Sequence, residues 1–115
     1  MSKPMAAVED FYFYLRGSTP TLNESWEYME EEYFEVIREL ECSDIEGFRE
    51  RLAKELADLM FTVYGVALAA DIDLDAAFGL VAESNMTKAP ATMESMGKIQ
   101  KGPNYVAPDM TWSLL

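Results

Sequence analysis

Arg51–Ala70, RLAKELADLMFTVYGVALAA, is the stretch whose reading decides the fold. It reads as one long helix. From Leu56 to Ala70 it carries one charge in fifteen residues. A helix that is apolar nearly all round is buried. Phe48, Leu52, Leu56, Leu59, Val63 and Val66 form its main stripe, and Phe61 and Tyr64 cover other faces. Glu55 and Asp58 stand three apart on the flank of that stripe, on one face of the helix. Two carboxylates beside such a core are costly unless a cation meets them. That cation is either a neighbouring base, Lys54 or Arg51, or a divalent metal held between two helices.

Upstream, Thr21-Leu22-Asn23-Glu24 spells a capping box, which starts a helix near residue 22. Trp26, Met29, Tyr33, Val36, Ile37 and Leu40 recur at three- and four-residue steps, the apolar stripe of an amphipathic helix. Glu31, Glu32 and Glu35 share that helix. Such a run reads either as a solvated acidic face or as ligands. Like charges one turn apart repel by a few tenths of a kcal/mol, and few bases lie nearby in sequence. Ser43-Asp44-Ile45-Glu46 spells a second capping box, which predicts that the long helix starts there.

Before these helices, Met5–Arg16 reads as a short helix rich in aromatics: Phe11, Tyr12, Phe13 and Tyr14. They serve packing, or one of the rings stacks on a bound base. Gly17-Ser18-Thr19-Pro20 ends that helix. After the long helix, Asp71, Asp73 and Asp75 have the spacing of a calcium loop. Ala76 stands where such a loop needs glycine and Ala82 where it needs glutamate, so this reading fails. Asp73 reads instead as the cap of a fourth helix, from Leu74 to about Met86. Residues 89–115 change composition. Pro90, Pro103 and Pro108 interrupt them, while Tyr105, Met110, Trp112, Leu114 and Leu115 give them docking groups. They read as an extended tail with at most a short helix or hairpin. The whole, 1–115, is expected to be one all-α domain. It is a four- to five-helix bundle with a helical core over 5–88, its core completed by oligomerisation.

The formal net charge of −12 makes nucleic acid and anionic membranes poor partners. Histidine is absent, which removes the usual general base and the commonest transition-metal ligand. Any metal site is therefore mainly oxygen, which favours Mg²⁺, or Mn²⁺ as a substitute, over Zn²⁺. The single Cys42 fits a reducing cytoplasm. The longest uncharged run, Leu59–Ala70, is twelve residues, too short to span a bilayer. A cytoplasmic location is expected, the host cytoplasm for a viral protein.

Together the carboxylates spell Glu32-x-x-Glu35, nineteen residues, then Glu55-x-x-Asp58. Two antiparallel helices can bring the halves face to face, and a bound Mg²⁺ cancels their repulsion and grips phosphate oxygens. This pattern resembles the all-α nucleoside triphosphate pyrophosphohydrolases, the MazG-like and phosphoribosyl-ATP pyrophosphohydrolase-like group that also contains the all-α dUTPases. Glu31 is similar to an extra acid before the first motif, and Glu55-Leu-Ala-Asp58-Leu to the wording of the second. Asn85-Met86-Thr87-Lys88, Gly97-Lys98, Lys101-Gly102-Pro103-Asn104-Tyr105 and Pro108-Asp109 resemble elements of one branch.

The resemblance implies Mg²⁺-dependent cleavage between the α and β phosphates of a (deoxy)nucleoside triphosphate, giving a monophosphate and pyrophosphate. It implies metal ligation by Glu31, Glu32, Glu35, Glu55 and Asp58, with Glu31 and Glu35 as the catalytic acids. It implies substrate contacts from Asn85, Lys88, Lys98, Lys101 and Tyr105, and a homodimer or homotetramer. The base is left open, with dGTP or GTP among the candidates. Two alternatives stand beside this reading. One is a phosphoribosyl-ATP pyrophosphohydrolase or dUTPase-like enzyme; the other is a non-catalytic acidic helical binding module.

Overall fold

A computed structural model describes residues 3–89 and 99–115. Their regular elements are all helical: α1 (Lys3–Arg16), α2 (Leu22–Leu40), α3 (Phe48–Ala69), α4 (Leu74–Met86) and a short 3-10 turn, Met110–Ser113. The all-α class follows the sequence periodicity. The chain forms two compact units, 1–72 and 73–115.

In the first unit α2 and α1 both pack against α3. The α2 start is the capping box that the sequence spells. Thr21 Oγ1 accepts from the Glu24 backbone N–H at 3.2 Å, and Glu24 Oε1 accepts from the Thr21 N–H at 3.2 Å. Arg16 Nη2 lies 2.6 Å from Glu24 Oε2, so the same glutamate ties the end of α1 to the start of α2. The Thr21 amide, then Arg16, hold the Glu24 carboxyl below the usual carboxylate range.

The start of α3 differs from the capping-box expectation. Residues 43–46 form turns, and the helix begins at Phe48 after Gly47, whose φ is +82°. A left-handed residue cannot sit inside a right-handed helix. Arg51 fixes this entry from the far side. Its Nη1 donates to the Glu46 carbonyl at 2.6 Å and its Nε to Glu39 Oε1 at 2.6 Å.

Burial along α3 also departs from the all-round expectation. Tyr64, Gly65, Ala67 and Leu68 are buried, whereas Leu56 is 48 % and Met60 51 % exposed. The 14-residue α1 is shorter than the 22-residue α3, about 21 Å against about 33 Å at 1.5 Å per residue. It reaches only part of its partner. Met5, Val8 and Tyr12 are its buried stripe. Full burial of such side chains contributes about 1.5–3 kcal/mol each. Phe11 meets Phe61 edge to face at 5.1 Å between centroids. On α2, Trp26, Tyr33, Phe34 and Leu40 are each about half exposed.

In the second unit Asp73 caps α4, its Oδ1 accepting from Ala76 N–H at 3.1 Å, as expected. The tail is fastened to α4 by two hydroxyls. Ser84 Oγ donates to the Val106 carbonyl at 2.7 Å, and Thr87 Oγ1 accepts from the Val106 N–H at 2.8 Å. No helix among the described residues is long and apolar enough to cross a membrane.

Candidate functional site

Packing of α2 on α3 brings Glu32 to Glu55 and Asp58. One carboxylate oxygen from each lies within 4.8 Å of the others, and all three residues are half-buried. The spacing explains the meeting. Glu55 and Asp58 are one turn apart on α3, and α2 crosses that face with Glu32. Burial raises the Glu32 carboxyl above the usual range, and the charges of Asp58 and Glu55 raise it further. No hydrogen bond or ion pair to Glu32 occurs among the described residues.

The cation at this cluster is Lys54. Its Nζ lies 2.9 Å from Asp58 Oδ2 and 3.7 Å from Glu55 Oε1. So one of the two bases that the sequence offers does pair with these acids. Arg51, the other, turns to Glu39. Lys54 is 71 % exposed while the Glu55 side chain is 16 % exposed. One solvated ammonium cannot neutralise three converging carboxylates. An all-oxygen set with excess negative charge, part-buried, suits a hard divalent cation.

The acidic cluster opens into a cavity of about 590 Å³, lined in part by Glu32 and Asp58. Ligand sites fall in the range of about 300–1,000 Å³. Phe11, Tyr12, Leu15 and Phe61 make its apolar wall, and Arg16, Tyr28, Glu31 and Thr62 add polar groups. The cavity wall thus combines anionic and aromatic groups.

The sequence matches the family described as phosphoribosyl-ATP pyrophosphohydrolase over residues 15–85, more than half of the chain. The chain belongs to this family. Phosphoribosyl-ATP pyrophosphohydrolases are part of the all-α nucleoside triphosphate pyrophosphohydrolase superfamily, and the activity the family implies is hydrolysis of a phosphoric anhydride. A comparison with the curated proteins finds no match.

The segment shared with the phosphoribosyl-ATP pyrophosphohydrolase family holds all three clustered carboxylates. The other acids singled out in the sequence stand differently. Glu31 is exposed and lines the cavity. Glu35 lies outside the three-carboxylate cluster, its Oε1 2.5 Å from Arg38 Nη1, although its charge is felt at Glu32. Asn85, Lys88, Lys101 and Tyr105 all fall in the second unit. There Lys88 accepts from the Gly102 N–H at 3.0 Å, and Lys101 Nζ sits 4.6 Å above the Tyr105 ring. Lys98 lies outside the described residues.

Sequence reasoning left Arg16, Tyr28, Phe61 and Thr62 without a site role. Helical spacing holds a signal for three of them. Tyr28 is one turn before Glu32, and Phe61 and Thr62 are one turn beyond Asp58. A residue one turn from a ligand shares its face.

Proposed function

We propose that the protein hydrolyses the α–β anhydride of a (deoxy)nucleoside triphosphate with Mg²⁺, releasing a nucleoside monophosphate and pyrophosphate. One observation carries this reading: Glu32 and Asp58 belong both to the carboxylate cluster and to the wall of the aromatic cavity. A metal-bound phosphate chain and an apolar heterocycle therefore find adjoining places.

Glu32, Glu55 and Asp58 are the residues that would hold Mg²⁺. When bound, the ion would neutralise phosphate oxygens and lower the pKa of a water. Glu31, on the cavity wall, would accept a proton from an attacking water or join a second ion. Glu35 would take part through its second oxygen or by exchanging its Arg38 partner. Such an arrangement needs no histidine, since phosphoryl transfer is mostly charge neutralisation and alignment. Self-association into a dimer or tetramer belongs to the same reading. The half-exposed Trp26, Tyr33, Phe34, Leu56 and Met60 support it.

The family match favours a second reading, in which phosphoribosyl-ATP is the substrate. Pyrophosphate release is the deciding assay. The panel is the four ribonucleoside and four deoxynucleoside triphosphates plus phosphoribosyl-ATP, each with Mg²⁺ and with chelator. Release from one or two nucleotides, lost in chelator, is expected. Release from phosphoribosyl-ATP alone would move the second reading to first place. Silence throughout, with no thermal shift on adding Mg²⁺, would leave an acidic binding module.

Lys54 gives an independent check on the metal. It must leave Asp58 before an ion can use that carboxylate fully. Lys54→Gln is expected to bind Mn²⁺ a few-fold more tightly than wild type in titration calorimetry. Unchanged or weaker binding would mean that Lys54 does not compete with the ion.

A further inference from the structure

Tyr12 lies outside the segment matched to the family, yet it forms part of the cavity that holds Glu32 and Asp58. It is 6 % exposed. Its hydroxyl makes no hydrogen bond to any described residue. A hydroxyl with no protein partner, on a residue that lines a cavity, is a place for a ligand atom.

The hydroxyl end of the ring rests against α3. A Cβ built on Gly65 would lie 3.3 Å from Tyr12 Oη and 3.6 Å from Cε2. Gly65 is buried in the interior of α3, where glycine is about 1 kcal/mol less favourable than alanine. The lost helix propensity is matched by the room it leaves for the phenol. Phe11 meets the Tyr12 ring edge to face at 5.1 Å between centroids and fixes it from the side.

We infer that Tyr12, seated against Gly65, is a specificity-determining residue whose hydroxyl hydrogen-bonds the polar edge of the substrate's nucleobase. This rests on the nucleotide reading above and adds the residue that reads the base. The cavity's lining offers different partners to base and phosphate. Glu31, Glu32 and Asp58 are its anionic groups, so phosphates belong beside them with a cation. Phe11, Leu15 and Phe61 are its apolar groups, and aromatic faces suit a flat heterocycle. Burial, and then the neighbouring Tyr28, raise the Tyr12 pKa, so the phenol is neutral at working pH. A neutral hydroxyl both donates and accepts, and it can meet a base carbonyl or ring nitrogen.

Removing one neutral hydrogen bond changes binding by about 3- to 10-fold. KM and kcat are measured for every hydrolysed nucleotide in wild type, Tyr12→Phe, Gly65→Ala and the exposed control Tyr14→Phe. Binding of the matching monophosphate product is measured alongside. Tyr12→Phe is expected to raise KM for the best nucleotide about 3- to 10-fold, with kcat little changed. Product binding should weaken by the same factor, and poorer nucleotides should be spared, so that base preference narrows. Gly65→Ala crowds the hydroxyl without removing it, and is expected to move KM in the same direction. Tyr14→Phe should behave as wild type. A folded Tyr12→Phe with unchanged KM and unchanged ranking of bases overturns the inference and leaves the pyrophosphohydrolase reading intact. A wild-type protein that hydrolyses no nucleotide overturns both.

Discussion

Asp58→Asn is expected to lower kcat for pyrophosphate release by more than about 100-fold, since outer-shell partners of metals alone cost about 10- to 100-fold. Asp58 is the one residue shared by the carboxylate cluster, the cavity wall and the Lys54 pair. Asparagine keeps the shape and removes the charge. The fold should survive: the Asp58 side chain is 39 % exposed, and Lys54, left without its partner, is 71 % exposed and is solvated by water. Circular dichroism should therefore match wild type. A saturating divalent ion stabilises a protein that binds it by about 2.7 kcal/mol at 100 times Kd. For a chain of this size that is a rise of roughly 10 °C in Tm. The variant should lose most of that rise. Full turnover in folded Asp58→Asn would remove Asp58 from the metal site. Lost turnover with an undiminished thermal shift would place it on the substrate side alone.

The parts of this protein that can be read from sequence are those set within one or two turns of chain. The Thr21–Glu24 box and the Asp73 cap involve residues three apart, and both form as read. The pairing of Glu32 with Glu55 and Asp58 follows from helical spacing plus a short connection between two helices. Where a distant residue decides, the reading stops. The Ser43–Glu46 box loses to Gly47 in the left-handed region and to Arg51, which reaches back across the turn to Glu39 on α2. The apolar character of α3 reads as all-round burial, yet Leu56 and Met60 are about half exposed, and nothing local says which part α1 covers. The cavity is the clearest case. Its wall needs Phe11 and Tyr12 from α1, Tyr28 and Glu32 from α2, and Phe61 from α3. No spacing rule joins three helices. Gly65 is the one local trace of it, a glycine in a helix interior where an alanine would be expected.

Glu32 links metal and pH with a sign that can be worked out. Its carboxyl lies above the usual range because of burial and the charges of Asp58 and Glu55. The metal-free folded protein therefore holds this proton more tightly than the unfolded chain. Its stabilising contribution is present below the ordinary glutamate pKa and is lost as pH rises through the raised value. Glu24, held below the usual range, contributes in the opposite direction. The comparison of wild type with Glu32→Gln isolates the first effect, because Glu24 is common to both. In chelator, Glu32→Gln is expected to gain stability relative to wild type as pH rises from the acid side to neutrality. A divalent ion should reverse the order. It binds the ionised carboxylate and releases the proton, so its hold strengthens with pH. Wild type then becomes the more stable of the two at neutral pH. Thermal melts of both proteins, across pH and with Mg²⁺ or chelator, give the four curves required. If Mg²⁺ stabilises Glu32→Gln as much as wild type, Glu32 is no ligand. If the two proteins melt alike in chelator at every pH, the carboxylates do not repel, and the physical case for a metal between α2 and α3 falls.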